Sequence, residues 1–303
     1  MRIVSLLPSL TELVCALGRG DELVGVTHEC DYPPGVELIP QLTRSNIPHD
    51  ASSATIDALV NEQRGSLYEL DARVLAELRP DLILTQEQCD VCAVNEVTVR
   101  RVAAGLKVPP RVESVNPTDL EGLFAMFRRV AKLLDARTVA EDMIGQFLGT
   151  AEEIAYRVEA RAVPRTLILE WLDPPFSAGH WNPELIAMAG GREVIGRAGE
   201  RSTRIDWDRV AAADPDAILV AACGFGVERT EAELALIADR PEWRDLRAVR
   251  AGRVALTDGS AYFSRPGPRL EASIRVAAAF LHPERCGDMA PADSLRPVPA
   301  NVN

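Results

Sequence analysis

Val24-Gly-Val-Thr-His-Glu-Cys-Asp-Tyr-Pro-Pro34 has a counterpart in the second half of the chain, Asp173-Pro-Pro-Phe-Ser-Ala-Gly-His-Trp181. Each segment follows a short apolar stretch typical of a β-strand, and its prolines, aromatic residues and metal-capable side chains predict a loop. In an open α/β sheet, ligands bind beyond the carboxyl ends of the strands. One such loop in each half therefore indicates a cleft between two lobes, and capture of a ligand rather than chemistry on it.

The composition is that of a globular protein large enough for two domains, with 303 residues of which 47% are hydrophobic and 26% charged. The net charge of -12 and the pI near 4.9 argue against nucleic acid or an anionic membrane as a partner. No apolar run is long enough to span a bilayer. The acidic surface mainly implies solubility.

The first eight residues, Met1-Arg-Ile-Val-Ser-Leu-Leu-Pro8, contain one basic residue and an apolar stretch too short for a signal peptide. They predict a first β-strand instead. We therefore expect a cytoplasmic protein as the sequence stands, and a periplasmic or cell-surface protein if the start codon is mis-assigned.

Strand and helix patterns alternate up to Val115 and again from Thr166, which favours parallel sheets covered by helices. Between them, apolar residues recur at helical spacing without a proline, which predicts one helix of roughly 40 residues. The polar, proline-rich end of the chain has little to bury, which predicts disorder. The expected parts are an N-terminal α/β lobe (1–116), a linking helix (117–162), a C-terminal α/β lobe (163–285) and a disordered tail (286–303).

Five segments in this order resemble the cobalamin-binding members of the helical-backbone, class III substrate-binding proteins, which receive corrinoids, siderophores or metals for ABC transporters. The segments are Leu7-Pro-Ser-Leu-Thr-Glu-Leu13, Val24–Pro34, Leu78-Arg-Pro-Asp-Leu82, Asp173–Gly179 with Gly190-Gly191, and Asp214-Pro-Asp-Ala-Ile218. The resemblance implies an α/β protein of two lobes with mainly parallel sheets, joined by one long backbone helix. It implies a binding protein rather than an enzyme, with cobalamin or a related corrinoid or metal chelate between the lobes and Tyr32 against the ligand.

The sequence also departs from that family. Members dock on an ABC transporter permease through one glutamate in each lobe, and the matching positions here are Arg73 and Asp208. Tryptophans that line the first lobe of the family's cleft are absent, because all four tryptophans lie at position 171 or beyond. These differences affect transporter docking more than ligand binding.

Four side chains of the first lobe are candidate metal ligands: His28, Cys30, Cys89 and Cys92. Thiolate and imidazole together suit zinc, copper(I) or a cobalt-centred ligand. Two alternatives stay open for the cysteines, since free cysteine often packs as a small hydrophobic residue and a Cys-x-x-Cys pair can be redox-active. The metal-ligand and the redox interpretations correspond to two rival functions, a cytosolic soft-metal (zinc or copper) binding protein or sensor using His28, Cys30, Cys89 and Cys92, and a thiol oxidoreductase using Cys89 and Cys92.

The second lobe contributes two loops with candidate ligand-binding residues, His180 and Trp181 in one and Tyr262, Phe263 and Arg265 in the other. His180 could coordinate cobalt while Trp181 lies against the macrocycle, or both could serve the packing of their loop. The later loop offers aromatic contact and a hydrogen-bond donor, or lid packing. Catalytic motifs such as Gly-x-Ser-x-Gly and His-Glu-x-x-His are absent, so we expect no enzyme.

Overall fold

The computed structural model describes residues 1–48, 51–62, 67–86 and 94–300. The chain forms two compact units. Unit 1 comprises Met1–Pro117 with Glu121–Met143, and unit 2 comprises Thr118–Leu120 with Ile144–Asn303.

Unit 1 is built around a four-stranded parallel sheet with the order β2-β1-β5-β6. A separate antiparallel pair, β3 with β4, precedes the helix that leads into β5. The elements are β1 (Ile3–Ser5), α1 (Pro8–Ala16), β2 (Leu23–Val26), β3 (Thr43–Ser45), α2 (Ser53–Glu62), β4 (Tyr68–Leu70), α3 (Ala72–Leu78), β5 (Leu82–Gln86), α4 (Glu96–Ala104), β6 (Arg111–Val115) and α5 (Leu120–Leu133).

The central strands of unit 1 are buried on both faces. Every residue of β1 and β5 is buried, which matches the continuous apolar runs expected of parallel strands. The preceding helix α3 starts where the Asp71 side chain accepts hydrogen bonds from the backbone N–H groups of Arg73 and Val74. Because β1, β2, β5 and β6 are parallel, their carboxyl ends lie at the same edge of the sheet.

The predicted single helix over 117–162 is wrong, because this stretch forms two helices, α5 (Leu120–Leu133) and α6 (Arg137–Arg157). Asp135 lies between them with a φ of 53°, a left-handed conformation that ends helical hydrogen bonding. Apolar residues such as Val130 and Ala140 are buried on both sides of the break. The helical period therefore continues through a turn that the sequence pattern does not reveal.

Unit 2 contains a larger sheet with the order β10-β8-β7-β11-β12-β13, and β9 also pairs with β7. Strands β7, β11 and β12 are parallel, while β8 and β13 run antiparallel to their neighbours. After α6, the elements are β7 (Arg165–Leu172), β8 (Pro175–Ser177), α7 (Asn182–Met188), β9 (Arg192–Glu193), β10 (Thr203–Arg204), α8 (Trp207–Ala213), β11 (Ala217–Val220), α9 (Val227–Leu234), α10 (Pro241–Arg244), α11 (Arg247–Arg250), β12 (Val254–Leu256), α12 (Leu270–Leu281), α13 (Pro283–Cys286) and β13 (Arg296–Val298).

The predicted disorder of residues 286–303 is also wrong for the part that the structure describes. Cys286 is fully buried, and the strand Arg296–Val298 extends the sheet of unit 2 beside β12. The buried hydroxyl of Thr257 donates a hydrogen bond to the Ser294 carbonyl oxygen at 2.8 Å. Polar composition was misleading here because the segment is fixed mainly by backbone hydrogen bonds rather than by large apolar side chains.

Truncation after Gly287 is expected to lower the free energy of unfolding of unit 2, because it removes β13 and exposes the edge of β12. A loss of about 2 kcal/mol follows from the ladder bonds and the buried Thr257 bond together. Urea denaturation measures it, with Thr257→Val as a milder variant that deletes only the side-chain bond. Unchanged stability of the truncated protein would show that β13 contributes nothing.

Candidate functional site

His28 lies just beyond the carboxyl end of β2, in a polar cluster that the β3–β4 pair completes. Its Nδ1 is 2.7 Å from the Thr43 hydroxyl, and its ring centre is 5.6 Å from that of Tyr68. The Tyr68 phenol donates a hydrogen bond to the Glu29 carboxylate at 3.1 Å. Burial lowers the pKa of His28, while Glu29 acts in the opposite direction. The imidazole is therefore neutral at pH 7 and has the form that binds metals.

Cys30 is buried behind this cluster, with 3% of its surface exposed, and packs with Val26 and Val36. Its Sγ lies 3.1 Å from the hydroxyl of Thr11, which also bonds the hydroxyl of Ser5. This environment corresponds to the alternative in which the thiol packs as a small hydrophobic side chain.

Of the four candidate metal ligands, His28 and Cys30 lie in the part of the chain that the structure describes. Among the described residues, no group of three or more His, Cys, Asp or Glu side chains could hold a metal ion. Cys89 and Cys92 lie outside the described residues. The proposed set of His28, Cys30, Cys89 and Cys92 stays a prediction.

Tyr32 is the most accessible of the predicted ligand-binding residues, with 45% of its surface exposed. It follows Asp31 in the loop beyond His28 and precedes Pro33 through a cis peptide bond. Its position after the carboxyl end of β2 agrees with a role in ligand contact. Asp173 and Pro174, in the matched segment of unit 2, are also joined by a cis peptide bond.

In unit 2, the segment after β7 is a β-hairpin rather than an open loop. Strand β8 turns back along β7, and Trp171 is paired with Phe176 across the hairpin. Paired residues on adjacent strands project from the same face, so the two rings meet edge to face with centres 6.2 Å apart. The hairpin thus fixes two aromatic side chains at the end of the sheet where ligands of α/β proteins bind.

A third ring extends this pair into what we call the aromatic cluster, formed by Trp171, Phe176 and Phe225. Phe225 follows β11 and stacks on Trp171 with ring centres 5.6 Å apart, and the Arg229 guanidinium lies 3.7 Å from the centre of the Phe225 ring. The indole N–H of Trp171 donates to the Cys223 carbonyl oxygen at 3.2 Å. Sequence reasoning missed this cluster, although an aromatic residue at each of two strand ends was a readable signal.

His180 has a strained backbone and an unsatisfied side chain. Its φ is 53°, and its N–H donates to the Glu200 carbonyl oxygen at 2.6 Å. The ring Nε2 is buried without a hydrogen-bond partner. Burial and the positive charge of Arg201 lower the pKa of His180, so the ring is neutral at pH 7. Strain and unpaired polar atoms are concentrated at functional sites, which makes this loop a candidate.

Trp181 and Phe263 join the two predicted loops of unit 2. The Trp181 indole N–H donates to the Phe263 carbonyl oxygen at 2.7 Å, and the two residues are 4% and 0% exposed. Phe263 has a φ of 66°, which is uncommon for a bulky residue. This geometry agrees with the packing interpretation of both side chains, and their direct contact with a ligand stays a prediction.

Tyr262 and Arg265, on either side of Phe263 and Ser264, are partly buried. Tyr262 borders a hollow of about 290 Å³ that is also lined by Asp258 and Arg296. The Ser264 hydroxyl between them is buried without a hydrogen-bond partner. The loop therefore retains hydrogen-bonding capacity beside the aromatic residues, and ligand contact by Tyr262 and Arg265 stays a prediction.

Two carboxyl groups of unit 2 have pKa values far above those of free glutamate. Burial raises the pKa of Glu170, on β7, and of Glu193, on β9, to about 7 in each case. Glu193 accepts hydrogen bonds from the backbone N–H groups of Ile168, Ile195 and Gly196. Glu170 instead accepts hydrogen bonds from the side chains of Asn182 and Ser202 and from the backbone N–H of Gly179.

A family model described as periplasmic binding protein matches residues 3–261 of the chain. The chain belongs to this periplasmic binding protein family. Its members bind solutes and are not enzymes, which confirms the expectation that this protein has no catalytic activity. The class III α/β fold is confirmed as well. No helix in the described ranges has the length and apolar character needed to cross a membrane.

Relatives of this periplasmic binding protein include the vitamin B12-binding protein of Yersinia pseudotuberculosis serotype O:3 (strain YPIII), 26% identical over 76% of this chain and 73% of its own length. Among solved structures, the periplasmic heme binding protein of Pseudomonas aeruginosa has a TM-score of 0.72 and 22% identity, over 98% of both chains. The periplasmic vitamin B12 binding protein BtuF of Vibrio cholerae has a TM-score of 0.64 and 18% identity, over 92% of this chain and 96% of its own. The chain spans 64–73% of the length of the curated relatives it matches.

Proposed function

We propose that this protein captures a corrinoid, cobalamin or a close relative, as the substrate-binding component of an ABC-type uptake system. The observation that carries the proposal is the match to a vitamin B12-binding protein along 76% of the chain. The residues that resemble cobalamin receptors, including Tyr32 and the Asp173–Trp181 segment, lie beyond the ends of parallel strands in their own units.

The chemistry of unit 2 supports this class of ligand. A corrinoid has a broad macrocycle surrounded by neutral amide side chains. The aromatic cluster offers ring surface at the carboxyl ends of β7 and β11, while His180 Nε2 and Ser264 Oγ are buried polar atoms without partners. Such atoms are costly unless a ligand or an ordered water supplies the missing bond. Apolar surface with a few fixed polar groups is typical of small-molecule sites.

Heme is the competing macrocycle, because the fold is also that of periplasmic heme-binding proteins. For the soft-metal alternative, His28 is the accessible candidate ligand among the described residues, because the Cys30 thiol is already packed against Thr11. A thiol oxidoreductase does not agree with the family, whose members are binding proteins. Heme and a bare metal ion are therefore the two competing ligands to compare with cobalamin in a binding test.

Of the two positions that match the family's docking glutamates, one is acidic in this chain, so the proposed transporter partner would contact one acidic docking residue instead of two. Asp208 is exposed in the first turn of α8, whereas Arg73 is exposed on α3 and pairs with Glu77 at 3.3 Å. The family is described as periplasmic binding protein, which supports capture of the ligand on the periplasmic side. The expectation of a cytoplasmic protein depends only on the first residues of the chain.

The test mixes purified protein separately with hydroxocobalamin, hemin and zinc chloride, desalts each sample, and records visible spectra and metal content. We expect cobalamin to co-elute, and Trp171→Ala to weaken its binding about 10-fold by loss of ring contact. Tyr156→Ala is the matched control, because Tyr156 is an 80% exposed aromatic residue on α6. Retention of hemin alone would replace cobalamin with heme, retention of zinc alone would favour the metal site, and retention of nothing would refute capture of any of the three.

A further inference from the structure

The aromatic cluster lies near the edge of the unit 2 sheet, and an arginine projects from the same face of that sheet. Strand β10 is the edge strand, and its Arg204 is paired with Phe176 on β8. Phe176 is in turn paired with Trp171 on β7. Because paired residues on adjacent strands project from the same face, Arg204, Phe176 and Trp171 form one row across three strands. An exposed, positively charged residue therefore ends the row of rings.

The ring surface that is open to a ligand is on the side of Arg204. Phe225, at the other end of the cluster, is 3% exposed, with Trp171 stacked on it and the Arg229 guanidinium over its ring. Trp171 and Phe176 are only partly buried. A ligand that stacks on the aromatic cluster consequently contacts Trp171 and Phe176 and has its edge beside Arg204.

A second arginine of the same segment is fixed beside the His180 loop by backbone contacts. The His180 N–H donates to the Glu200 carbonyl oxygen at 2.6 Å, and the Gly199 N–H donates to the His180 carbonyl oxygen at 3.0 Å. The Arg201 carbonyl carbon lies 2.6 Å from the position that a Cβ at Gly179 would take. Arg201 is exposed, and its charge reaches the loop, since burial and this charge both lower the pKa of His180.

The carboxylates nearest in sequence to these two arginines have other partners. Glu200 forms an ion pair with Arg197 at 3.6 Å, and Asp206 accepts a hydrogen bond from the Arg209 backbone N–H at 2.6 Å as the N-cap of α8. The stretch Arg201-Ser-Thr-Arg204 contains no acidic residue, in a chain whose net charge is -12. Its three residue steps span about 10 Å when extended, so both arginines can reach one bound group. Local positive charge attracts an anion, and neighbouring ring surface strengthens the attraction by excluding water.

We propose that Arg204, assisted by Arg201, binds an anionic group at the edge of the ligand that stacks on the aromatic cluster, and so determines which macrocycle is captured. The inference rests on the proposed function for the identity of its ligand. In cobalamin the anionic group is the phosphodiester of the nucleotide loop, and in heme it is the pair of propionate carboxylates. Guanidinium groups form charge-assisted, often paired hydrogen bonds with either oxyanion. An analogue of the same macrocycle without this group should therefore bind less tightly.

The first experiment compares hydroxocobalamin with diaquocobinamide, which keeps the corrin ring and lacks the phosphodiester with its nucleotide base. We expect Arg204→Gln to weaken the binding of hydroxocobalamin about 10-fold and to leave that of cobinamide unchanged, because it removes one charge-assisted contact. Arg201→Gln should have a smaller effect in the same direction. Arg197→Gln, at an exposed arginine of the same segment that pairs with Glu200, is the matched control and should change neither affinity. An effect of Arg204→Gln that is equal for both corrinoids, or absent from both, overturns the inference.

If hemin binds instead of cobalamin, the same variants test the carboxylate as the anionic group. Hemin and hemin dimethyl ester share one macrocycle and differ in the charge of the propionates. We expect the wild type to bind the ester about 10-fold less tightly than hemin, and Arg204→Gln to bind the two equally. A preference for hemin that persists in Arg204→Gln, or no preference in the wild type, overturns the inference.

Failure of the proposed function is distinguishable from failure of this inference. Ligand-free protein with ¹⁵N-labelled arginine is titrated with dimethyl phosphate and with acetate, and the side-chain N–H resonances are assigned from the three arginine variants. We expect the Arg204 and Arg201 resonances to shift saturably with at least one of these anions, and the Arg197 resonance to stay constant. If these shifts occur and no macrocycle binds, the proposed function fails and the anion site stands. If Arg204 does not respond to either anion, the inference is refuted, whatever macrocycle binds.

Discussion

Trp181→Ala is expected to reduce the free energy of unfolding of unit 2 by about 3–5 kcal/mol, the range for truncation of a buried tryptophan. The side chain is 4% exposed, so its removal leaves a cavity beside Phe263. It also leaves the Phe263 carbonyl oxygen without the 2.7 Å bond from the indole. Because Trp181 joins the two loops of the candidate site, the affinity for the proposed ligand should fall together with stability.

Trp181→Phe separates the two causes, since it retains most of the ring and removes only the N–H donor. We expect it to lose about 1–3 kcal/mol, the cost of an unsatisfied buried carbonyl. Tyr156→Ala, at an exposed site, should change stability by no more than about 0.5 kcal/mol. Urea denaturation followed by far-ultraviolet circular dichroism measures all three, and equal losses for Trp181→Phe and Trp181→Ala would contradict the assignment of Trp181 to the packed core.

Gly179→Ala should disrupt the same segment through backbone contact. An added Cβ would meet the Glu200 carbonyl oxygen, and would lie 2.5 Å from Ser202 N and 2.6 Å from Arg201 C. These are backbone atoms, which cannot move aside as the end of a flexible side chain can. We expect a loss of about 3 kcal/mol in stability, with weakened ligand binding because the Gly179 and Ser202 bonds to Glu170 are displaced.

Gly145→Ala is the matched substitution with the opposite sign. Gly145 lies in α6, and a Cβ there would have no atom within 4 Å. Alanine should therefore stabilise the protein by about 0.5–1 kcal/mol through helix propensity. Thermal unfolding of both variants measures the difference in stability. A Gly179→Ala protein as stable as Gly145→Ala would show that the backbone of residues 200–202 shifts to accommodate the added Cβ at little cost.

The main elements of both units could be predicted from periodicity, because most are buried by regular apolar patterns. The alternation expected up to Val115 and again from Thr166 is observed, since β6 ends at Val115 and β7 begins at Arg165. The elements that were missed are short ones, namely the helices α10, α11 and α13 and the strands β3, β4, β8, β9, β10 and β13. The residues of the missed strands alternate poorly, and long-range pairing rather than local preference places them in strands.

The candidate site was predictable as a location and less so as a set of contacts. Parallel strands end together, so loops such as those carrying His28 and His180 could be assigned to ligand-binding edges from order alone. Whether an aromatic side chain faces solvent or the core depends on register and turn geometry. Trp171, at the end of an apolar strand, is half-buried, whereas Trp181, in a loop after Gly179 and His180, is buried. The raised pKa of Glu170 needed the same three-dimensional information, because burial causes it.

All four tryptophans, Trp171, Trp181, Trp207 and Trp243, lie in unit 2, so the intrinsic emission of this protein reports on one half of it. Excitation at the red edge of indole absorption would leave unit 1 spectroscopically silent. Melting of unit 1 alone would then pass unseen by fluorometry while circular dichroism registers it, and transitions at different urea concentrations by the two probes would reveal stepwise denaturation. A tryptophan introduced at exposed Leu38 would give unit 1 an optical signal of its own.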